Sequence, residues 1–145
     1  MTNASDPTGV WILRACYQEI VQTGERIDMF GPNPRGVLII LPEGRMAAVL
    51  TPAEQPKPAT EADQALAFQK LVAYSGRYRV EPPDRLVIAV DVAWFVPWVG
   101  SEQVRKFSVE GDILQIVSEP TRTPLTGDAL IVGVLTWIRE GARGA

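Results

Sequence analysis

The stretch that decides the fold prediction is Val-Leu-Ile-Ile-Leu-Pro-Glu-Gly-Arg-Met-Ala-Ala-Val-Leu at residues 37–50. It consists of two short apolar runs, residues 37–41 and 45–50, separated by Pro-Glu-Gly. A short break with proline and glycine between two apolar runs is typical of a hairpin turn. We therefore expect two neighbouring strands here that pair antiparallel.

The same alternation of short strand and tight turn continues on both sides of this hairpin. Residues 9–21 alternate in polarity and are rich in β-branched and aromatic side chains, which is typical of a strand. Turn sequences recur as Pro-Pro-Asp at 82–84 and Glu-Gly-Asp at 110–112. The remaining predicted strands are residues 77–80, 85–94, 103–109, 113–117 and 130–139.

One segment, residues 60–73, predicts an α-helix. Thr60 is a suitable N-cap residue, and Asp63 three positions later makes an imperfect capping box. The apolar residues of the segment share one face, and Gly76 marks its end. The chain therefore reads as about eight strands and one helix.

These elements predict an all-β fold, a closed antiparallel up-and-down barrel of about eight strands with one α-helix at about residues 60–73. An open sheet of this size would expose two unpaired edges and one apolar face, and closure into a barrel removes both faults. A barrel of about eight strands also leaves room inside for one small ligand. A sandwich of two sheets is the alternative that the same pattern allows.

Length and composition limit the function. The 145 residues are the length of one domain, so we expect a single domain over 1–145 with a frayed tail at 140–145. The 14 basic and 17 acidic residues, a net charge of −3, argue against nucleic-acid binding. A single cysteine and no histidine exclude an internal disulfide and remove the commonest general base and metal ligand. No cofactor and no metal site are expected.

The sequence also predicts a compartment. The N-terminal residues have neither the basic region nor the apolar region of a secretory signal. No apolar run approaches the ~18 residues that are needed to span a bilayer. We therefore expect a cytoplasmic protein with no membrane insertion.

Two motifs near the ends of the chain resemble those of a known class of barrels. Gly-Val-Trp at residues 9–11 opens the first predicted strand, and Leu-Thr-Trp-Ile-Arg at 135–139 closes the last one. This pairing resembles the lipocalin and calycin barrels, in which a tryptophan plugs the closed end and an arginine lies across it. The resemblance implies structural roles for Trp11 and Arg139, joined by a cation–π contact of about 0.5–2 kcal/mol.

Four further blocks of sequence extend the resemblance over nearly the whole chain. They are Gly-Pro-Asn-Pro-Arg-Gly at 31–36, Pro-Glu-Gly-Arg-Met at 42–46, Tyr-Ser-Gly-Arg-Tyr at 74–78 and Trp-Val-Gly-Ser-Glu-Gln-Val-Arg at 98–105. Together they resemble the small lipocalin-like domain family of microbial proteins. The resemblance implies a barrel with an internal pocket but no particular reaction. Because a secretory signal and a disulfide pair are both missing, it does not imply extracellular transport.

Strand periodicity predicts which side chains face the interior. If Trp11 points inward on the first strand, Leu13 and Tyr17 do so as well, and Tyr17 then either orients a ligand oxygen or bonds to backbone at the rim. Cys16 falls in the outward phase and is interpreted as an inert, packed thiol.

The strand predicted at residues 85–94 has one purely apolar face, formed by Leu86, Ile88, Val90, Val92 and Trp94. We expect this face to be the interior, which leaves Asp91 outside with Arg85 as a surface charge. With the opposite register, Asp91 would be a buried carboxylate and the best candidate for a general base.

The aromatic segment Trp-Phe-Val-Pro-Trp at 94–98 is more apolar than a solvent-exposed loop requires. Three interpretations are open: a portal over the cavity mouth, a plug that completes the core, or a patch used for dimerisation. Arg105 follows closely and alternates with Phe107. An inward Arg105 would bind a ligand carboxylate, whereas an outward one would be an ordinary surface charge.

Our leading hypothesis is that the barrel binds a small hydrophobic or aromatic molecule. One alternative is a cofactor-free isomerase or cyclase that acts on a biosynthetic intermediate, with Tyr17, Tyr78, Asp91 and Arg105 as catalytic candidates. Another is an interaction module that forms a homodimer through residues 94–98. The predicted ligand-binding residues are Leu13, Tyr17, Ile39, Tyr78, Ile88, Val90, Trp94, Trp98, Arg105 and Phe107.

Overall fold

The chain folds as ten antiparallel strands and one short helix in a computed structural model, which describes residues 6–28, 30–122 and 129–142. The helix α1 spans Glu61–Gln69, and one turn of 3₁₀-helix spans Val96–Trp98. The strands are β1 (Gly9–Ile20), β2 (Arg26–Ile27), β3 (Arg35–Ile40), β4 (Arg45–Thr51), β5 (Val72–Glu81), β6 (Arg85–Ala93), β7 (Glu102–Glu110), β8 (Ile113–Ser118), β9 (Thr121–Arg122) and β10 (Leu130–Arg139).

Eight of these strands close into a barrel. Neighbours pair in the order β1-β3-β4-β5-β6-β7-β8-β10, and β10 pairs back onto β1 from Trp11 opposite Arg139 to Ile20 opposite Ile131. The two-residue strands β2 and β9 extend the sheet beside β1 and β10. The predicted up-and-down barrel is therefore confirmed, and the two-sheet sandwich is wrong, because the first and last long strands hydrogen-bond to each other.

The helix α1 is shorter than predicted and lies on the surface. Thr60 caps it through a complete capping box: its hydroxyl accepts from the Asp63 backbone N–H at 3.1 Å, and the Asp63 carboxylate accepts from the Thr60 N–H at 3.2 Å. The helix ends at Gln69 rather than near residue 73, because Val72 already pairs with Leu50 as the start of β5. None of its residues is buried, so its apolar side chains do not enter the main core.

Two bulges interrupt the regular alternation of the barrel strands. Arg14 is an extra residue in β1, between Leu13 and Ala15, and Asp91 is an extra residue in β6 opposite the Ser75–Gly76 pair. A bulge moves every later side chain of its strand to the other face. At the second bulge the strands approach closely, and a Cβ atom at Gly76 would overlap the carbonyl oxygen of Ala89. Only glycine fits there without a backbone shift.

The closed end of the barrel is a densely bonded plug. Trp11 is completely buried, and its indole N–H donates to the Pro7 carbonyl at 2.9 Å. The Arg139 guanidinium lies 4.2 Å from the centre of the Trp11 ring, donates to the Thr8 carbonyl at 3.2 Å and pairs with Asp112 at 3.5 Å. This is the arrangement that the resemblance to lipocalin barrels implied. It joins the beginning of β1 to the end of β10.

Candidate functional site

The opposite end of the barrel opens into a cavity of about 780 Å³. Ligand pockets for drug-sized molecules are usually ~300–1,000 Å³, so the volume suits one small molecule. Apolar side chains dominate the wall, and no polar or charged residue of the described chain is fully buried. The inward-facing lining includes Cys16, Phe30, Leu38, Met46, Ala48, Leu50, Val72, Tyr74, Leu86, Ile88, Ile116, Leu135 and Trp137.

An aromatic cluster, Tyr74, Trp94 and Trp98, forms one side of the cavity mouth. The Trp98 ring stands edge-on to Tyr74 at 5.0 Å between centroids and to Trp94 at 5.1 Å. Perpendicular aromatic pairs at this spacing are favourable. The Ser101 hydroxyl donates to the Trp98 carbonyl at 2.6 Å, which anchors the 3₁₀ turn to the start of β7. The mouth is therefore preformed rather than a loose loop.

The aromatic segment 94–98 divides between the cavity and solvent. Trp94, Phe95 and Trp98 contribute to the cavity lining, whereas Val96 is 77% exposed at the tip of the turn. This placement corresponds to the portal interpretation of the segment. It leaves a small apolar tip outside.

Arg105 reaches the cavity from the inward face of β7, and Glu102 and Glu119 are the other charged residues in the described lining. The neighbour of Arg105 in phase, Phe107, is only 3% exposed, which fixes this orientation. The guanidinium carbon lies 5.8 Å from the centre of the Trp98 ring, and the nitrogens donate to the Val104 carbonyl at 3.1 Å and the Gln103 side-chain oxygen at 3.4 Å. Within the described ranges, no carboxylate oxygen lies within 4 Å of the Arg105 guanidinium.

A short polar chain holds Arg105 in place. The amide of Gln103 accepts from Arg105 and donates to the Ser101 hydroxyl at 2.9 Å. Ser101 in turn donates to the Trp98 carbonyl. Because a guanidinium has five N–H donors, several of them stay available to a ligand at the mouth.

Most of the predicted lining residues lie in or around the cavity. Ile88, Trp94, Trp98 and Arg105 line it directly. Leu13, Val90 and Phe107 face inward and belong to the buried core that surrounds it.

Two predicted lining residues lie elsewhere. Ile39 is 36% exposed on the outer face, because Leu38 and Ile40 on either side of it take the inward positions. Tyr78 lies toward the closed end, where its hydroxyl donates to the Leu41 carbonyl and where partial burial, with the charges of Asp6 and Glu43, raises its pKa. Neither residue lines the cavity, so both predictions are wrong in position.

The Arg14 bulge reverses the predicted phase of the second half of β1. Cys16, predicted to face outward, is buried in the cavity wall, and burial together with the charge of Asp28 raises its thiol pKa to about 11. Tyr17 borders the cavity, but the Arg26 guanidinium covers its ring at 4.3 Å. Glu19 lies two residues beyond Tyr17, on the same face of β1, and pairs with Arg26 at 3.6 Å. Arg26 therefore contacts both side chains on this face of the strand.

Asp91 lies on the outer face, as the favoured register predicts. Its ion-pair partner there is Arg45. Two nearly parallel bonds of 2.8 and 3.0 Å join the carboxylate to the Arg45 guanidinium, which holds the pKa of Asp91 below its usual range. The bulge at Asp91 turns Val92 outward, where it is 63% exposed, so its predicted interior position is wrong.

The four catalytic candidates are therefore not brought together. Asp91 is outside the barrel and Tyr78 is at the closed end, whereas Tyr17 and Arg105 border the cavity. Tyr17 is covered by Arg26, which leaves Arg105 as the candidate that is available to a ligand.

Sequence reasoning did not single out several residues of the cavity, among them Tyr74, Trp137 and Phe30. Tyr74 and Trp137 were present in the quoted motifs but were interpreted only as family markers, and Phe30 follows a loop sequence with no strand pattern to orient it. Trp137 is 1% exposed, and its indole N–H has no hydrogen-bond acceptor among the described residues.

The fold and the cavity together define a class: small closed β-barrels with an interior cavity that is open at one end. A family model described as the lipocalin-like domain matches residues 8–140. The chain therefore belongs to the lipocalin-like domain family, which confirms the resemblance. A search of curated proteins found no match. No helix in the described part of the chain is long and apolar enough to span a membrane.

Proposed function

We propose that this protein binds one small hydrophobic or aromatic molecule inside the barrel, with an anionic group of that molecule held at the mouth by Arg105. The observation that carries the proposal is the combination of a 780 Å³ apolar cavity with an arginine at its entrance that has no carboxylate partner in the described chain. The membership of the lipocalin-like domain family supports small-molecule binding as the general function.

Burial of apolar surface supplies most of the affinity in this proposal. A ligand that buries on the order of 300 Å² of apolar surface gains roughly 7 kcal/mol at about 25 cal/mol per Å², and part of this gain offsets the freedom lost on binding. The edge-on cluster of Tyr74, Trp94 and Trp98 offers flat surfaces for an aromatic group.

Arg105 supplies orientation rather than bulk affinity. A guanidinium recognises a carboxylate through two parallel hydrogen bonds, and such charge-assisted bonds are stronger than neutral ones. Its position beside the Trp98 ring supports an orientation with the anionic end of the ligand near solvent and the apolar end inside.

Fluorescence titration with 1-anilinonaphthalene-8-sulfonate, an aromatic anion, tests the proposal. We expect saturable enhancement of probe emission and quenching of tryptophan emission, because Trp94 and Trp98 lie at the mouth. The variant Ala48→Phe fills the cavity from its wall and should abolish both signals. Val49→Phe adds a ring to the adjacent position on the outer face, which is 50% exposed, and should change neither.

Two results would count against the proposal. One is a linear, non-saturable response of the native protein to the probe. The other is equal binding by Ala48→Phe and Val49→Phe, which would place the probe on the surface.

The remaining alternatives stay predictions. The isomerase or cyclase hypothesis loses two of its four catalytic candidates at the cavity, because Asp91 lies on the outer wall and Tyr78 lies toward the closed end. The homodimer hypothesis rests on the exposed tip at Val96, and sedimentation of the native protein and Trp98→Ser would test it. The cytoplasmic location is likewise a prediction from the sequence.

A further inference from the structure

The indole N–H of Trp137 is a buried donor without an acceptor in the described chain. The contrast with Trp11 is direct, because the equally buried indole N–H of Trp11 donates to the Pro7 carbonyl at 2.9 Å. An unsatisfied buried donor is costly, and native proteins satisfy nearly all such groups with protein, ordered water or ligand. The donor of Trp137 therefore needs an explanation.

The surroundings of Trp137 explain why no described protein group accepts a hydrogen bond from its indole N–H. Its partners in the strand register are Leu13 on β1 and Leu114 on β8, both of which are apolar and buried. Their backbone oxygens belong to the strand ladder of the barrel. The Trp137 ring nevertheless lines the cavity, and because its nitrogen is closed to water, an acceptor in the cavity reaches it only when the ring or its neighbours shift.

We propose that Trp137 donates a hydrogen bond to an uncharged oxygen, a carbonyl, ether or hydroxyl, at the buried end of the ligand. This inference rests on the proposed function and deepens it by naming the ligand class. The ligand carries an anionic group at Arg105, an apolar middle section and an acceptor oxygen at its inner end. A simple alkyl acid, whose inner end is a methyl group, does not satisfy the Trp137 donor.

The strand register sets the length of such a ligand. Four residues of β7 separate Arg105 from Val109, Val109 lies opposite Leu114, and Leu114 lies opposite Trp137. At about 3.4 Å per residue, and allowing for strand tilt, Arg105 and Trp137 are offset by on the order of 10 Å along the barrel axis, which we take as the approximate length of the ligand. A straight chain of about ten carbons spans this distance.

A matched pair of ten-carbon acids tests the inference by isothermal titration calorimetry. Decanoate ends in a methyl group, whereas 9-oxodecanoate carries a ketone oxygen next to its inner end. We expect the native protein to bind 9-oxodecanoate at least as tightly as decanoate, although the ketone is the more strongly hydrated group. Trp137→Phe changes the cavity wall for both acids, so the readout is the ratio of their affinities, and we expect the variant to lower the preference for 9-oxodecanoate over decanoate roughly five- to tenfold, as the loss of one neutral hydrogen bond predicts.

The outcomes separate this inference from the proposed function. Failure of both acids to bind the native protein would overturn the proposed function and the inference with it. Binding of both acids, with the same affinity ratio in the native protein and Trp137→Phe, would overturn the inference and leave the proposed function standing.

A spectroscopic measurement on the native chain covers the case in which Trp137→Phe does not fold. In a nitrogen–proton correlation spectrum, we expect 9-oxodecanoate to move the Trp137 indole N–H resonance downfield and decanoate to leave it closer to its free position. The Trp11 resonance is the internal control, because its donor is already bonded to Pro7. Identical shifts of the Trp137 resonance with both acids would contradict the inference.

Discussion

An arginine stands beside a tryptophan at each end of the barrel, and the two pairs differ in what else surrounds them. At the closed end Arg139 lies 4.2 Å from the Trp11 ring and also contacts Asp112 and the Thr8 carbonyl. At the open end Arg105 lies 5.8 Å from the Trp98 ring without a carboxylate neighbour in the described chain. The same two residue types therefore close the barrel at one end and border the cavity at the other.

The two ends differ in whether their hydrogen-bond donors have acceptors within the protein. At the closed end Trp11 and Arg139 donate to backbone carbonyls, whereas Arg105 at the mouth has no ion-pair partner and Trp137, deeper in the cavity, has no acceptor among the described residues. Functional sites are often less stable than the scaffold that carries them. Variants at the two ends should accordingly affect different measurements.

The largest expected effect is the loss of the closed-end plug. Trp11→Ala should lower the free energy of unfolding by about 3–5 kcal/mol, because it removes a fully buried aromatic ring. Trp98→Ala, at the half-buried mouth, should cost about 1 kcal/mol or less. Urea denaturation of both variants measures the difference, and equal losses would remove the distinction between the two ends.

A smaller loss of stability is expected at the bulge that shapes the β5–β6 wall. Gly76→Ala should destabilise the protein by about 2–3 kcal/mol, because the new methyl group overlaps the Ala89 carbonyl oxygen. Gly133→Ala is the matched control, since its Cβ would meet the Ser118 hydroxyl at an ordinary 3.5 Å. Thermal melting that ranks Gly133→Ala as the more damaging variant would contradict the bulge argument.

Binding, rather than stability, should respond to the open-end arginine. Arg105→Met keeps the apolar stem and removes the charge, so affinity for 1-anilinonaphthalene-8-sulfonate should fall roughly tenfold, or about 1.4 kcal/mol. Arg139→Met should lower stability by about 1–2 kcal/mol and leave probe affinity unchanged. Calorimetry and denaturation would contradict the distinction between the two ends if Arg139→Met lowered probe affinity and Arg105→Met lowered stability instead.

The smallest effect is expected at the exposed pair of Asp91 and Arg45, which lies on the outer wall. Arg45 holds the pKa of Asp91 below its usual value of about 3.9, so the stabilisation is present above that value and is lost as the pH falls through the lower, folded pKa. Asp91→Asn should be slightly less stable than the native protein at pH 7, and the difference should shrink as the pH falls through the lowered pKa of Asp91. A difference in the free energy of unfolding that grows as the pH falls would contradict this prediction.

Strand periodicity predicted the barrel. On β1 and β6 it predicted the inward-facing residues only as far as the bulge in each strand. Trp11 and Leu13 on β1, and Leu86, Ile88 and Val90 on β6, lie inward as expected. Beyond Arg14 and Asp91 the phase reverses, and neither residue carries a sequence signal that marks a bulge. A nearby glycine, Gly76, hints at the second bulge only once its partner strand is known.

The cavity itself was predicted in part. The alternation of Arg105 with Phe107 left the orientation of Arg105 open in the sequence, and the burial of Phe107 in the structure is what shows that Arg105 faces inward. Ile39 could not be placed either, since the run at residues 37–41 is apolar at every position and therefore gives no phase. The significance of Trp137 depends on the absence of an acceptor near its nitrogen, which is a property of three strands together and cannot be read from one segment.

The seam between β1 and β10 also has a kinetic consequence. The bond from Arg139 to the Thr8 carbonyl joins positions 131 residues apart, and the whole β1–β10 ladder is of this long-range kind. Folds dominated by such distant contacts have a high contact order and fold slowly, on the millisecond-to-second scale. During translation the early strands therefore wait for β10 to leave the ribosome, and their interior surfaces stay exposed to aggregation or chaperone capture until it arrives.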